Sequence, residues 1–148
     1  MLNILQPMQT NDKNKDKVRV LLVDDEPDVC EFIGYNLKRN GFSVYTCNNG
    51  KQAIVKALQV HPHVIIMDVT MPEMDGIQTC KMMREKADFK NTIIAFFSAR
   101  NESLAYREGF SAGGDDYIYK PSDPAVVVAR INALVEKFFP IRFPTFAA

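Results

Sequence analysis

The chain has 148 residues, 47% apolar and 24% charged, with 18 basic against 18 acidic side chains. That length suits one domain burying about two-thirds of its unfolded surface, and the balanced charge offers no broad positive face, so direct nucleic-acid binding by these residues is not expected. No apolar run approaches the ~18–20 residues of a membrane span, and residues 1–5 are too short for a signal-peptide core, so a cytoplasmic protein without membrane insertion is expected.

Residues 1–17 end in a polar stretch without period and read as a flexible tail. A first strand runs from Arg19 to Val23. Asp25 then offers an N-cap and Pro27 suits a first helical turn, with Val29, Phe32, Ile33 and Leu37 on one face until Gly41. Residues 42–47 alternate as a second strand, and 50–58 form a second helix with Ala53, Ile54, Ala57 and Leu58 inward. Residues 64–67 make a third strand. After the loop 71–76, a third helix turns Ile77, Cys80 and either Met82 or Met83 to the core. A fourth strand covers 93–97, and a weaker helix over about 102–110 is broken by Gly113 and Gly114. The fifth strand is 116–119. Asp123 and Pro124 open a last helix in which Val127, Ile131, Leu134 and Phe138 keep helical spacing.

Cys30, Cys47 and Cys80 are odd in number and lie in or beside apolar stretches, so they read as small hydrophobes, not a disulfide framework or a zinc site. His61 and His63 flank Pro62 and read as turn residues. The last stretch, 138–146, holds four Phe and two Pro in nine residues, which a solvated tail does not need; 139–148 is a docking segment, a partner surface or a linker stub.

Alternating strands and helices imply an α/β fold with a parallel sheet, right-handed crossovers and helices on both faces. Runs one, three and four are apolar throughout, as interior strands are, whereas two and five are mixed. The order 2-1-3-4-5 satisfies this, and it puts the binding crevice between the ends of strands one and three.

Polar residues stand at those carboxyl ends: Asp24 and Asp25, Asp68, Ser98 and Lys120. Clustered carboxylates repel unless a cation compensates them, and an all-oxygen set favours Mg²⁺. A carboxylate can attack phosphorus to give an acyl phosphate, with a metal and a lysine spreading the charge on the phosphoryl oxygens. Asp68, alone at the central strand's end, is the nucleophile candidate. Asp25 with Asp24 would hold the metal, Lys120 would reach one phosphate oxygen and Ser98 another. Singly, each has a plainer role: Asp25 or Ser98 as a cap, Lys120-Pro121 as a solvated turn. Four strand ends carrying complementary groups outweigh those roles together.

The stretches Leu22-Val-Asp-Asp-Glu-Pro27, Ile66-Met-Asp-Val-Thr-Met-Pro-Glu-Met-Asp-Gly76, Phe97-Ser-Ala99 and Asp115-Asp-Tyr-Ile-Tyr-Lys-Pro121 resemble the receiver domain of two-component response regulators over roughly 18–138. The resemblance implies a CheY-like, flavodoxin-like fold of five strands and five helices. A histidine kinase or histidine phosphotransfer protein would donate phosphate to Asp68. Mg²⁺, with Mn²⁺ as a substitute, would be held by Asp25, Asp68 and the Thr70 backbone carbonyl, with Asp24 assisting. Phosphate would meet Ser98, the Ala99 backbone amide and Lys120. Ser98 and Tyr117 match the family's switch pair, in which the hydroxyl turns to phosphate and the ring swings inward, changing the face of the fourth helix, fifth strand and fifth helix. Without the resemblance, Tyr117 reads equally as an edge-strand aromatic.

The segment around Asp116, Tyr117, Arg130 and Ala133 is similar to the winged-helix OmpR/PhoB-type subgroup, whose receivers dimerise through that face with an acid matching Asp116 paired to an Arg matching Arg130. A phosphorylation-dependent homodimer is therefore implied. Tyr106 and Val126 replace another charged pair of that interface, which makes any dimer more apolar or different in geometry. Ser122 replaces a usual Phe, Gly114 a usual Ala, and Arg100 and Thr70 flank the water's approach to phosphate. Such a domain is no enzyme beyond its own phosphorylation and dephosphorylation. The competing readings are an aspartyl-phosphate hydrolase or phosphomutase, disfavoured because Thr70 stands where a second Asp belongs, and a receiver-like platform that takes no phosphate.

Overall fold

A computed structural model describes residues 17–140. The expectations for the two ends, a tail over 1–17 and the Phe/Pro-rich stretch, fall outside the described residues save Lys17 and 138–140.

The elements alternate as β1 (Arg19–Val23), α1 (Pro27–Arg39), β2 (Ser43–Cys47), α2 (Gly50–Val60), β3 (Val64–Met67), α3 (Gly76–Arg84), β4 (Ile93–Ser98), α4 (Ser103–Ser111), β5 (Asp116–Tyr119) and α5 (Pro124–Phe138), with a 3-10 turn at Ala87–Phe89. All pairings are parallel, and the sheet order is β2-β1-β3-β4-β5. The expected topology holds. Strand side chains alternate between two cores. Leu21, Val23, Ile65, Met67, Ile94 and Phe96 meet α2, α3 and α4, while Val20, Leu22, Ile66, Ala95 and Ile118 meet α1 and α5. Strand β3 is buried along its whole length, as a central strand covered on both faces should be.

Several local expectations are corrected. Asp25 does not cap α1: the N-cap is Glu26, without a side-chain cap bond, and the Glu26 amide instead donates to Asp24 Oδ1 at 2.9 Å. Phe32 is 59% exposed because the face that packs on α5 is centred on Ile33 and Leu37, one helical step away. Leu58 and Phe138 are likewise exposed, and Met83, not Met82, enters the core. Cys80 is buried and Cys30 and Cys47 half-buried, all free. Burial pushes the thiols of Cys47 and Cys80 up to about 12 and about 11. His61 is a left-handed C-cap of α2 with φ 48°. His63, in contrast, is 5% exposed, and its Nδ1 accepts the Arg19 amide at 3.0 Å. It helps close the amino edge of the sheet.

Candidate functional site

At the opposite edge the hydrogen-bond ladder runs one residue past the strands. The Asp24 amide donates to Cys47 O (3.1 Å), the Asp68 amide to Val23 O (2.9 Å) and the Lys120 amide to Ser98 O (2.8 Å). Because parallel neighbours end level, this continuation delivers the side chains of four strands to one crevice.

Carboxylate oxygens of Asp24, Asp25 and Asp68 all lie within 4.8 Å of one another. Asp24 and Asp68 are 1% and 4% exposed, and Asp25 is exposed. Lys120 Nζ bonds Asp24 Oδ2 at 2.7 Å and stands 3.7 Å from Asp68 Oδ2, above the Phe97 ring. Both Asp24 oxygens are therefore engaged, one by Lys120 and one by the Glu26 amide. Asp25 makes no side-chain hydrogen bond or ion pair among the described residues, so it is the carboxylate left open to a cation. Burial pushes the Asp68 carboxyl up to about 6; Lys120 pulls it down, the Asp24 charge raises it, and the Thr70 amide, 3.4 Å from Oδ1, lowers it.

The segment carrying Asp68 is held from behind. The Gly76 amide donates to Val69 O at 2.8 Å, and a Cβ at residue 76 would lie 2.0 Å from Asp68 O. Only glycine admits so close an approach. Asp75 then caps α3 with a reciprocal capping box through Gln78.

Ser98 is fully buried at the end of β4, and its hydroxyl accepts the Arg100 amide at 3.2 Å. Tyr117 is 3% exposed and its hydroxyl donates to the Arg100 carbonyl at 2.7 Å. The Tyr117 ring, expected to act with Ser98 as a switch, is thus inward here, packed beside Phe96, Tyr106 and Tyr119. Ala99 is exposed and, with Lys120, Pro121 and Ser122, lines a cavity of about 550 Å³ bounded by Val29 and Phe32 of α1.

On the α4–β5–α5 side, Tyr106, Val126 and Ala133 are exposed. Asp116 and Arg130 pair within this chain, Arg130 Nε to Oδ2 at 2.9 Å and Nη2 to Oδ1 at 2.5 Å.

Two features escaped the sequence. Arg84 extends from α3 to four acceptors: the carbonyls of Gly113, Phe89 and Thr92 at 3.0, 2.6 and 2.7 Å, and Asp115 Oδ2 at 2.9 Å. Its partners lie up to 31 residues away, and no local pattern announces them. The second is the reason for glycine at position 114: a Cβ there would come 2.5 Å from Phe96 Cε2 and 2.9 Å from Gly109 O. Glycine there complements the large ring at 96. The coincidence of a bulky strand residue with Gly109 and Gly114 was the available signal.

Among the described residues no helix is long and apolar enough to cross a membrane. Residues 20–132 match the family model for the response regulator receiver domain. The transcriptional regulatory protein ResD of Bacillus subtilis is 37% identical over 129 residues, covering 87% of this chain and 50% of ResD. The chemotaxis response regulator CheY4 of Vibrio cholerae superposes with a TM-score of 0.76 at 28% identity, over 80% of this chain and 98% of that one. DrrB of Thermotoga maritima, an OmpR/PhoB homolog, superposes with a TM-score of 0.74 at 25% identity, over 82% of this chain and 54% of that one. The chain spans about half the length of the curated relatives it matches.

Proposed function

Since the chain belongs to the response regulator receiver domain family, we propose that it is the phospho-accepting switch of a two-component phosphorelay. A histidine kinase or histidine phosphotransfer protein gives a phosphoryl group to Asp68, and the α4–β5–α5 face then controls a partner or an output domain. The observation that carries this reading is the buried Asp68 carboxylate, held between Lys120 and two further carboxylates at the sheet's carboxyl edge.

One Asp68 oxygen attacks phosphorus while the donor's P–N bond breaks, its electron pair returning to the imidazole nitrogen; an acyl phosphate remains on Asp68. The donor set fits Mg²⁺, or Mn²⁺ in its place, because three clustered carboxylates face a single lysine and Asp25 is open. Asp25, Asp68 and the Thr70 carbonyl would hold the ion, with Asp24 assisting, and when bound it would supply positive charge to offset that on the phosphoryl oxygens. Lys120 needs to turn only from Asp24 toward the new group. Ser98 can exchange the Arg100 amide for a phosphate oxygen beside the Ala99 amide, and that exchange frees the backbone that Tyr117 also holds. The new charge is thereby carried into the α4–β5–α5 face. A soluble, cytoplasmic setting follows from this role.

Incubation with acetyl phosphate and Mg²⁺, followed by intact mass, tests the proposal. One added phosphoryl group that Asp68→Asn abolishes supports it. An adduct retained in Asp68→Asn, or no adduct on the native chain, overturns it, and steady turnover without an adduct favours a hydrolase.

A further inference from the structure

Between β4 and α4 the chain turns through residues 99–102, and one residue of that turn serves two hydroxyls. The Arg100 amide donates to Ser98 Oγ at 3.2 Å, and the Arg100 carbonyl accepts the Tyr117 hydroxyl at 2.7 Å. The Arg100 side chain runs forward along the turn, where its Nε donates to Glu102 Oε1 at 2.6 Å.

Glu102 is the N-cap of α4, with extended backbone at φ −71° and ψ 146°. That position favours Ser, Thr, Asp or Asn, whose short side chains accept a first-turn amide. Glu102 makes no such bond. Its carboxylate faces back to Arg100, so helix capping does not account for it and the ion pair does. Helix α4 is also lightly anchored. Of its nine residues only Ala105 and Gly109 are buried, while Leu104, Tyr106 and Phe110 are exposed. A helix that buries so little apolar area follows the segment leading into it.

We propose that Glu102 is a positioning residue for Ser98 and Tyr117: by holding Arg100 it fixes the backbone that both hydroxyls share and joins that backbone to the start of α4. The consequence for signalling rests on the phospho-accepting reading. When Ser98 leaves the Arg100 amide for a phosphoryl oxygen, the turn is released and Glu102 carries the first turn of α4 with it. The paired side chains are 37% and 49% exposed. Such a pair shifts an equilibrium by up to about fivefold, and salt weakens it. That magnitude suits a bias on a switch.

Solution NMR of the whole chain, with labelled tyrosine rings and amides, tests this. In Glu102→Gln the Tyr117 ring signals should move, and high salt should move the native signals the same way. Reversing the pair, Arg100→Glu with Glu102→Arg, should restore them. With beryllofluoride and Mg²⁺ as phosphoryl mimic, the shifts of the α4 amides should fall about twofold or more in Glu102→Gln. The acetyl phosphate adduct should still form at the native rate, because Glu102 bonds neither Asp68 nor Lys120. Tyr117 signals unchanged in Glu102→Gln, or not restored by the reversed pair, overturn the proposal. So do α4 shifts as large as the native ones. A native chain that takes no phosphoryl group, yet shows the Tyr117 changes and their rescue, sinks the phospho-accepting reading and still supports the positioning role.

Discussion

Lys120 Nζ donates to Asp24 Oδ2 at 2.7 Å across 96 positions of sequence, and the other Asp24 oxygen accepts the Glu26 amide at the start of α1. The ion pair is nearly dry, with side chains 12% and 1% exposed. It ties β5 to β1 across the crevice and keeps the lysine within 3.7 Å of Asp68.

Removing one member leaves its partner's charge buried. Lys120→Met should lower stability by about 2–4 kcal/mol in metal-free buffer, measured by urea unfolding. A double-mutant cycle with Asp24→Asn should return a coupling of about 1–3 kcal/mol. Additive effects would show that the pair does not organise the site.

Asp68 gives a pH signature. Burial first, then the Asp24 charge, raise its carboxyl from 3.8 to about 6 against the pull of Lys120. The folded state then binds the proton more tightly than the unfolded chain, so stability from this group is present below pH ~4 and lost as pH rises toward 6. In metal-free buffer at pH 7, Asp68→Asn should be more stable by up to about 2–3 kcal/mol, an increase of roughly 4–12 °C in Tm. The gain should shrink toward pH 4. A gain that does not vary between pH 4 and 7 would contradict this assignment.

Gly114 and Phe96 form a complementary pair. Gly114→Ala forces a methyl to within 2.5 Å of the Phe96 ring and should destabilise the fold by about 1–3 kcal/mol. In a Phe96→Val background the same alanine should cost much less, which thermal unfolding of the four variants checks.

Arg84 supplies donors to three carbonyls and one carboxylate from a planar fork that lysine cannot imitate. Arg84→Lys should therefore lose about 2–4 kcal/mol by chemical denaturation, far more than an exposed Arg-to-Lys exchange.

Arg130 and Asp116 form an exposed pair worth less than about 1 kcal/mol to the fold. It can be traded for the same pair made between two copies at little cost. With a phosphoryl mimic, size-exclusion chromatography should show a dimer of the native chain, and Arg130→Glu should stay monomeric with nearly unchanged Tm. A dimer that survives Arg130→Glu would place the interface elsewhere.

Much of this was legible in the residues. Apolar runs ending in Asp24, Asp68, Ser98 and Lys120 specify parallel strands with a polar carboxyl edge, and the mixed runs 42–47 and 116–119 specify the sheet edges. Phe32 and Leu58 misled because helical spacing alone locates an apolar stripe only to within one residue, and their exposure depends on which neighbour packs there. A strand-end aspartate two residues before a proline suits a cap, which points to Asp25; in the folded chain the N-cap of α1 is Glu26, without a side-chain cap bond, and the carboxylate that meets its amide is that of Asp24.

Strand order, the placing of five polar groups at the sheet's carboxyl edge and the limits of most elements were determined by local pattern, since burial of apolar area and turn chemistry act over a few residues. Tertiary structure decided which groups share a charge: Lys120 with Asp24, Arg84 with Asp115, Arg130 with Asp116. It also decided that Tyr117 lies inward and that residue 114 must carry no side chain. Those outcomes depend on distances of a few ångströms between segments far apart in the chain, and Coulomb attraction and steric exclusion at that range leave no trace in linear spacing.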